Sequence, residues 1–224
     1  MYGRNIAENI HAVPAIWPVD LNSGANAGDY VSLKDYPVGG VLIQIGASAG
    51  TIAVTMLQAT AVAGTGEKTL SFTEMFMTGC KLKLTSKTGT FTVGETLTGA
   101  GGASSVVYAD CGTYLLLHTV NETAFVDGET VTGGTSGYTG VADGIGIDED
   151  ILLSKAVTSD TFTIPDRANR MYFIPFEAMM LDVANDFDCI RVHLAQATGA
   201  VIGGAVYVLD PNQKGRPMLT AIYD

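Results

Sequence analysis

The chain has 224 residues, of which 47% are hydrophobic and only 16% charged, and its 12 Lys and Arg against 23 Asp and Glu leave a formal net charge of −11. No apolar stretch approaches the roughly 18 uninterrupted residues of a membrane-crossing helix, and the basic residues form no run, which argues against both a membrane span and direct nucleic-acid binding. Glycine is abundant, at 27 residues, and a surface rich in Gly, Thr and Ala but poor in charge suits contact with other protein, so assembly is the first expectation.

The first 38 residues read as an extended arm. Pro14, Pro18 and Pro37, with Asn and Gly between them, interrupt any regular element. Within the arm, Ile16, Trp17, Val19 and Leu21 form an apolar strip that suits anchoring to a partner, while packing of the strip on its own body stays an equal alternative. If it is an anchor, deletion of residues 1–20 should leave a folded body. No apolar run follows a basic start at the N-terminus, so synthesis in a reducing host cytoplasm is expected.

Beyond the arm almost every patterned segment reads as strand, because Val, Ile, Thr, Tyr and Phe alternate with small or polar residues between Gly-rich turns. The candidates are residues 40–46, 51–60, 69–72, 161–164, 171–176, 189–195 and 205–210. In the sixth of these, Ile190, Val192 and Leu194 share one face and Arg191 and His193 the other, the mark of a half-buried strand.

In the middle of the chain Phe91-Thr92-Val93-Gly94-Glu95-Thr96-Leu97-Thr98-Gly99 recurs 34 residues later as Phe125-Val126-Asp127-Gly128-Glu129-Thr130-Val131-Thr132-Gly133. Gly94 and Gly128 suit turns with positive φ, and Glu95 and Glu129 open segments that alternate like exposed strands, so each copy is expected to be a hairpin. Two such hairpins can pair into a small sheet or barrel. The predicted fold is therefore all-β: a discontinuous β-sandwich or jelly-roll-like core from residues 39–84 and 147–224, with a small acidic β domain, 85–146, inserted in a loop.

Several short motifs look chemical. Gly46-Ala47-Ser48-Ala49-Gly50 has the spacing of a nucleophile elbow, but β-branched Thr51-Ile52-Ala53-Val54-Thr55 follows where a helix is required, so a small-residue hairpin turn is the better reading. Gly64-Thr65-Gly66-Glu67-Lys68-Thr69 departs from a phosphate loop, with Glu67 between glycine and lysine and Ala61 where the first glycine belongs. The acidic run from Asp143 to Asp150 lacks calcium-loop spacing and reads as a solvated linker. His11, His118 and His193 are isolated, and Cys80, Cys111 and Cys189 form no pair at ligand spacing. Met75, Met77, Met179 and Met180 are either core filling or a soft binding surface. The reading is of a non-enzyme without cofactor or metal.

The repeated Phe-x-x-Gly-Glu-Thr-x-Thr-Gly at 91–99 and 125–133 resembles repeats in head and tail proteins of tailed bacteriophages. The run Asp188-Cys189-Ile190-Arg191-Val192-His193 through Ala205-Val206-Tyr207-Val208-Leu209-Asp210-Pro211 is similar to the closing strands of small head-associated proteins. The resemblance implies a capsid decoration, or cement, protein on the outer surface of the virion head, bound to the major capsid protein and often trimeric, with no catalytic residue. Two alternatives stay open: a tail or neck connector, and an adhesion module in which Tyr108, Tyr114 and Tyr138 of the insertion stack on host glycans.

Overall fold

The structure, a computed structural model, describes residues 9–119, 123–144, 147–211 and 221–222. Its regular structure is antiparallel β with three short 3-10 turns among the described residues. In chain order the first strands are β1 (His11–Asp20), β2 (Asn26–Ala27), β3 (Val31–Ser32), β4 (Val38–Ser48), β5 (Ile52–Ala59) and β6 (Lys68–Leu70). Then come β7 (Glu74–Thr85), β8 (Thr96–Gly99), β9 (Ser104–Asp110), β10 (Tyr114–Thr119), β11 (Thr130–Gly133), β12 (Thr139–Ala142) and β13 (Ile147–Ala156). The last are β14 (Thr161–Ile164), β15 (Arg170–Glu177), β16 (Cys189–Leu194) and β17 (Val201–Asp210).

The chain divides into two compact units. One comprises Met1–Met75, Lys155–Ile164 and Ala168–Asp224, the other Phe76–Ser154 and Pro165–Arg167. In the first, β1, β17, β4 and β15 form one antiparallel sheet in that order. The second sheet runs β14, β5, β16, with β2 and β3 end to end along β16 and β6 along β5. Alternation buries Val41, Ile43 and Ile45 of β4, and Tyr172, Ile174 and Phe176 of β15. On the other sheet it buries Ile52, Val54 and Met56 of β5, and Ile190, Val192 and Leu194 of β16. Each such side chain contributes about 1.5–3 kcal/mol by leaving water. Tyr207 ties the two sheets together: from β17 its hydroxyl donates to the Asp29 carbonyl at 3.0 Å and accepts from the Val192 N–H of β16 at 2.9 Å. This unit is an all-β sandwich.

The N-terminal segment, expected as an extended arm, packs on its own unit as a strand, which is the second of the two alternatives. From His11, opposite Leu209, to Asp20, opposite Ile202, it is an antiparallel edge strand on β17, with irregularities between Pro14 and Ile16 and between Ile16 and Val19. Proline lacks the N–H that a central strand must donate, but at an edge that N–H can face solvent, so Pro14 and Pro18 are tolerated and also blunt the edge against strand addition. Val13 and Ile16 are buried, as is Leu21 in the 3-10 turn that follows. Loss of residues 1–20 would therefore open the core of this unit.

In the second unit β7, β10, β9, β8, β11 and β12 pair in sequence, and β12 returns to β7 through Val141 opposite Thr85 and Ala142 opposite Leu84. The ring is a closed six-stranded antiparallel barrel, a closure that leaves no sheet edge. Inside lie Leu82, Leu84, Phe91, Leu97, Val107, Leu115, Leu117, Phe125, Val131 and Ala142. The barrel extends beyond residues 85–146, since β7 supplies the closing strand, and β13 pairs with β7 as well.

Candidate functional site

The two repeat copies turn at Gly94 and Gly128, with φ of +86° and +78°. Their N–H groups donate to the carbonyls of Val107 at 2.8 Å and Ala142 at 2.9 Å. A β-carbon would meet no obstacle at either position, so backbone conformation alone calls for glycine there. The glutamates that follow are not on the surface: Glu95 is 4% and Glu129 9% exposed. Each first closes its own turn, Glu95 accepting from the Thr92 N–H at 2.6 Å and Glu129 from the Val126 N–H at 2.8 Å.

Each also reaches the loop of the other copy. Glu95 accepts from the N–H groups of Thr135 and Ser136, at 2.9 and 2.8 Å, and from the Ser136 hydroxyl at 2.8 Å. Glu129 accepts from the Gly101 N–H at 3.0 Å. The exchange follows a local two-fold between β8 and β11, where Thr98 faces Thr132, Leu97 faces Gly133 and Val131 faces Gly99. Burial works to raise the Glu95 pKa, but the donors of Ser136, Thr135 and Thr92 outweigh it and hold the carboxyl below its ordinary value. A carboxylate this fully occupied is a structural brace, with no lone pair turned to a ligand.

Asp110 has the same character. It accepts from Lys87, from the Phe91 N–H at 2.7 Å and from the Gly112 N–H at 3.0 Å. In the sandwich unit a second charged group is held among its own neighbours: Tyr30 donates to Glu67 at 2.7 Å, and Arg191 pairs with Glu67 while lying 4.8 Å from the Tyr30 ring centre.

The apolar strip of the N-terminal segment separates by face. Ile16 and Leu21 point into the unit, whereas Trp17 is 74% exposed and Val19 is exposed beside it. Ile16 and Pro18 line a groove of about 420 Å³ on this sheet, together with Leu42 and Gln44 of β4, Met171 of β15, and Ile202 and Val206 of β17. Gly204 permits the close crossing of the irregular β1, since a β-carbon there would lie 2.9 Å from the Ile16 carbonyl oxygen. Trp17 thus lies exposed in the irregular stretch of β1 between Ile16 and Val19, flanked in the chain by two residues that line the groove.

Ser48 ends β4 and donates to the Gly50 carbonyl at 3.2 Å. The Gly46–Gly50 segment is not a hairpin between paired strands: it carries the chain from one sheet of the sandwich to the other. Residues 64–67 lie in the turn between β5 and β6, with Gly64 and Gly66 at positive φ, and Lys68 and Thr69 open β6. Asp143 pairs with Lys83 at 2.5 Å, whereas residues 145–146 and the side chains of Asp148, Glu149 and Asp150 lie outside the described residues. Among the described residues no three His, Cys, Asp or Glu side chains converge as metal ligands, and no helix is long and apolar enough to cross a membrane.

His11 bonds Tyr36 at 2.6 Å, and His118 packs against Tyr108 with the rings tilted and their centres 5.2 Å apart. Lys81 lies over Tyr114, and the Tyr138 ring covers Gly89, so the three tyrosines have separate neighbours. Cys80 and Cys189 are buried and Cys111 exposed, all three as free thiols. Met75 and Met77 are core residues, while Met179 and Met180 are exposed.

No family model matches the sequence, and no curated protein matches it. Among solved structures, a chain from the structure of the infectious bursal disease virus Gx strain aligns at 10% identity and a TM-score of 0.09, over 93% of this chain and 44% of its own length. A similarity of that size carries no argument about fold or function.

Proposed function

We propose that this chain is a non-catalytic structural protein of a tailed-phage virion, a decoration or cement protein that binds the outer surface of the head and strengthens contacts between capsomers. The observation that carries the reading is Trp17: a large aromatic side chain, 74% exposed, in the irregular stretch of edge strand β1 whose neighbouring Ile16 and Pro18 line an apolar groove. Exposed aromatics on rigid scaffolds are the usual anchors of protein interfaces, because little conformational freedom is lost on docking. The net charge of −11 suits an outer face and would be repelled by packaged nucleic acid. The repeat barrel, closed and braced from within, is the outward projection in this reading. A homotrimer engaging several copies of the major capsid protein would gain further through effective concentration.

Trp17 is the sole tryptophan of the chain, so its emission reports docking directly. On addition of heads stripped of the chain, the emission should shift to the blue and become protected from a soluble quencher. Unchanged emission on heads that have taken up the protein would place the anchor elsewhere.

A further inference from the structure

The sandwich unit carries a second exposed apolar cluster at the opposite end of the sheet that bears Trp17. Val38 begins β4 and faces both Glu177 of β15 and Asp210 of β17. β4 is opposite Gly203 only at Ile45, seven residues on, which at ~3.3 Å per residue separates the two ends by roughly 25 Å. Just past β15 the chain makes two 3-10 turns, Ala178–Met180 and Val183–Asn185, the first bound to the strand end by the Ala178 N–H donating to the Pro37 carbonyl at 2.9 Å. Met179 is 80% and Val183 61% exposed, with Val38 and Met180 exposed beside them.

These side chains stand on a fixed base. Leu181, between the turns, is buried. The Asp182 N–H donates to Gln58 at 2.8 Å, and the Asp182 carboxylate holds Lys68 and Asn185. Glu177 lies opposite Val38, Asp182 and Asp186 bracket the second turn, and Asp35 and Asp188 are near Val38 and Val183 in the chain, five carboxylates against Lys34 and Lys68 among the described residues, so three remain after the two lysines are paired. Both lysines are already engaged, Lys34 with Asp188 at 3.3 Å and Lys68 with Asp182. The cluster is therefore an apolar knob with a negative rim. A second copy of this acidic chain, docked knob to knob, would oppose carboxylate to carboxylate, an arrangement that disfavours association.

We propose that Val38, Met179, Met180 and Val183 form a second docking point, which takes a protein partner whose apolar socket is rimmed by Lys and Arg. One sheet then carries two seats, Trp17 at one end and the methionine knob at the other, and a single chain can bridge two points of a larger assembly. The identity of that assembly as a phage head rests on the function proposed above; the chemistry of the socket does not.

The test places a photoreactive benzophenone side chain at position 17 or position 179 of the full chain within the virion and maps the cross-links. Position 179 should link to another virion protein at a segment flanked by Lys or Arg. A link from 179 to a second copy of this chain, or none at all, overturns the proposal. Position 17 separates the two questions: a link from 17 to a protein other than the head shell contradicts the function proposed above without touching the socket. In a binding assay with stripped heads, a variant carrying Met179→Asp and Val183→Asp should bind about tenfold or more weakly, the loss typical of an interface anchor. Its thermal unfolding should match the unmodified chain, since both positions are exposed. Equal affinity of variant and parent would also overturn the proposal. Glu177→Gln with Asp186→Asn should reduce the salt dependence of binding, whereas an unaltered dependence would contradict the basic rim.

Discussion

Glu95 and Glu129 each fasten the loop of the other's repeat, with Glu95 accepting from Thr135 and Ser136 and Glu129 from Gly101. Equivalent residues of a duplicated sequence thus make equivalent bonds across a local two-fold, and the bonds add a side-chain brace to the β8–β11 ladder that joins the two copies. The brace is uneven. The second loop is one residue longer, its Gly137 N–H returning to Gly133 where the Gly102 N–H returns to Gly99, and it presents the Ser136 N–H and hydroxyl to Glu95 as additional donors.

From this asymmetry, Glu95→Ala should destabilise the barrel more than Glu129→Ala. Hydrogen bonds to a buried carboxylate and the donors stranded by its loss are worth about 1–3 kcal/mol each in isolation, and they are not additive. Removal of Glu95 should cost about 3 kcal/mol and removal of Glu129 about 1–2 kcal/mol by the same reckoning. Urea unfolding of the full chain, followed by far-ultraviolet dichroism, measures both. Equal losses would contradict the uneven brace.

The same carboxylate sets a pH dependence. The Glu95 pKa lies below its ordinary value of 4.5 when folded, so the unfolded chain binds the proton more tightly and the stabilisation is fully present above that range. It is lost as pH falls from about 4.5 through the lower folded value. Asp110 acts in the same direction: burial works to raise its pKa, but Lys87 and the N–H groups of Gly112 and Phe91 lower it further. These two carboxylates should make stability decline below about pH 5, and Glu95→Gln should flatten that decline. An acid profile unaffected by Glu95→Gln would contradict the assignment.

Gly99 and Gly133 are constrained by space, whereas Gly94 and Gly128 are constrained by backbone conformation. A β-carbon at Gly133 would lie 2.6 Å from the Glu95 carboxylate, and one at Gly99 would lie 2.8 Å from that of Glu129. Gly133→Ala should therefore displace the brace and cost about 2–3 kcal/mol, as loss of a buried carboxylate's partners does. Gly94→Ala meets open space at φ +86° and should cost only about 1–2 kcal/mol of left-handed strain. Thermal unfolding of the two variants should rank them in that order.

Faces of β1 should separate stability from docking. Ile16→Ala creates a core cavity and should cost about 2–4 kcal/mol, whereas Trp17→Ala should change stability by less than about 0.5 kcal/mol. A large stability loss with Trp17→Ala would mean that the indole serves the fold.

Much of the architecture is legible in the sequence, because period-2 alternation of β-branched and aromatic residues marks strands directly. The segments expected at 161–164, 171–176 and 189–195 correspond to β14, β15 and β16 within a residue at most termini. Two features hide from such reading, each for a physical reason. Pro14 and Pro18 look like interruptions, since whether a strand lies at an edge is a property of the sheet and not of the strand; hence β1 reads as an arm. Glu95 and Glu129 look exposed because acidic residues are seldom buried, and only the distant loop donors make burial tolerable. A signal was present in the duplication: the same acid followed the same turn glycine in both copies. Closure of the barrel through β7 and β12 was beyond local pattern, since Leu84 and Ala142 are far apart in the chain and nothing near either residue specifies the other.

The most direct measurement of the central claim is the number and position of copies of this chain on purified virions, by quantitative mass spectrometry and by labelling of the exposed Cys111. The account predicts a copy number in proportion to the capsid subunits, with label spread over the outside of the head. About a dozen copies or fewer confined to the neck or tail, as a single symmetric ring would give, or none on the particle, would contradict it.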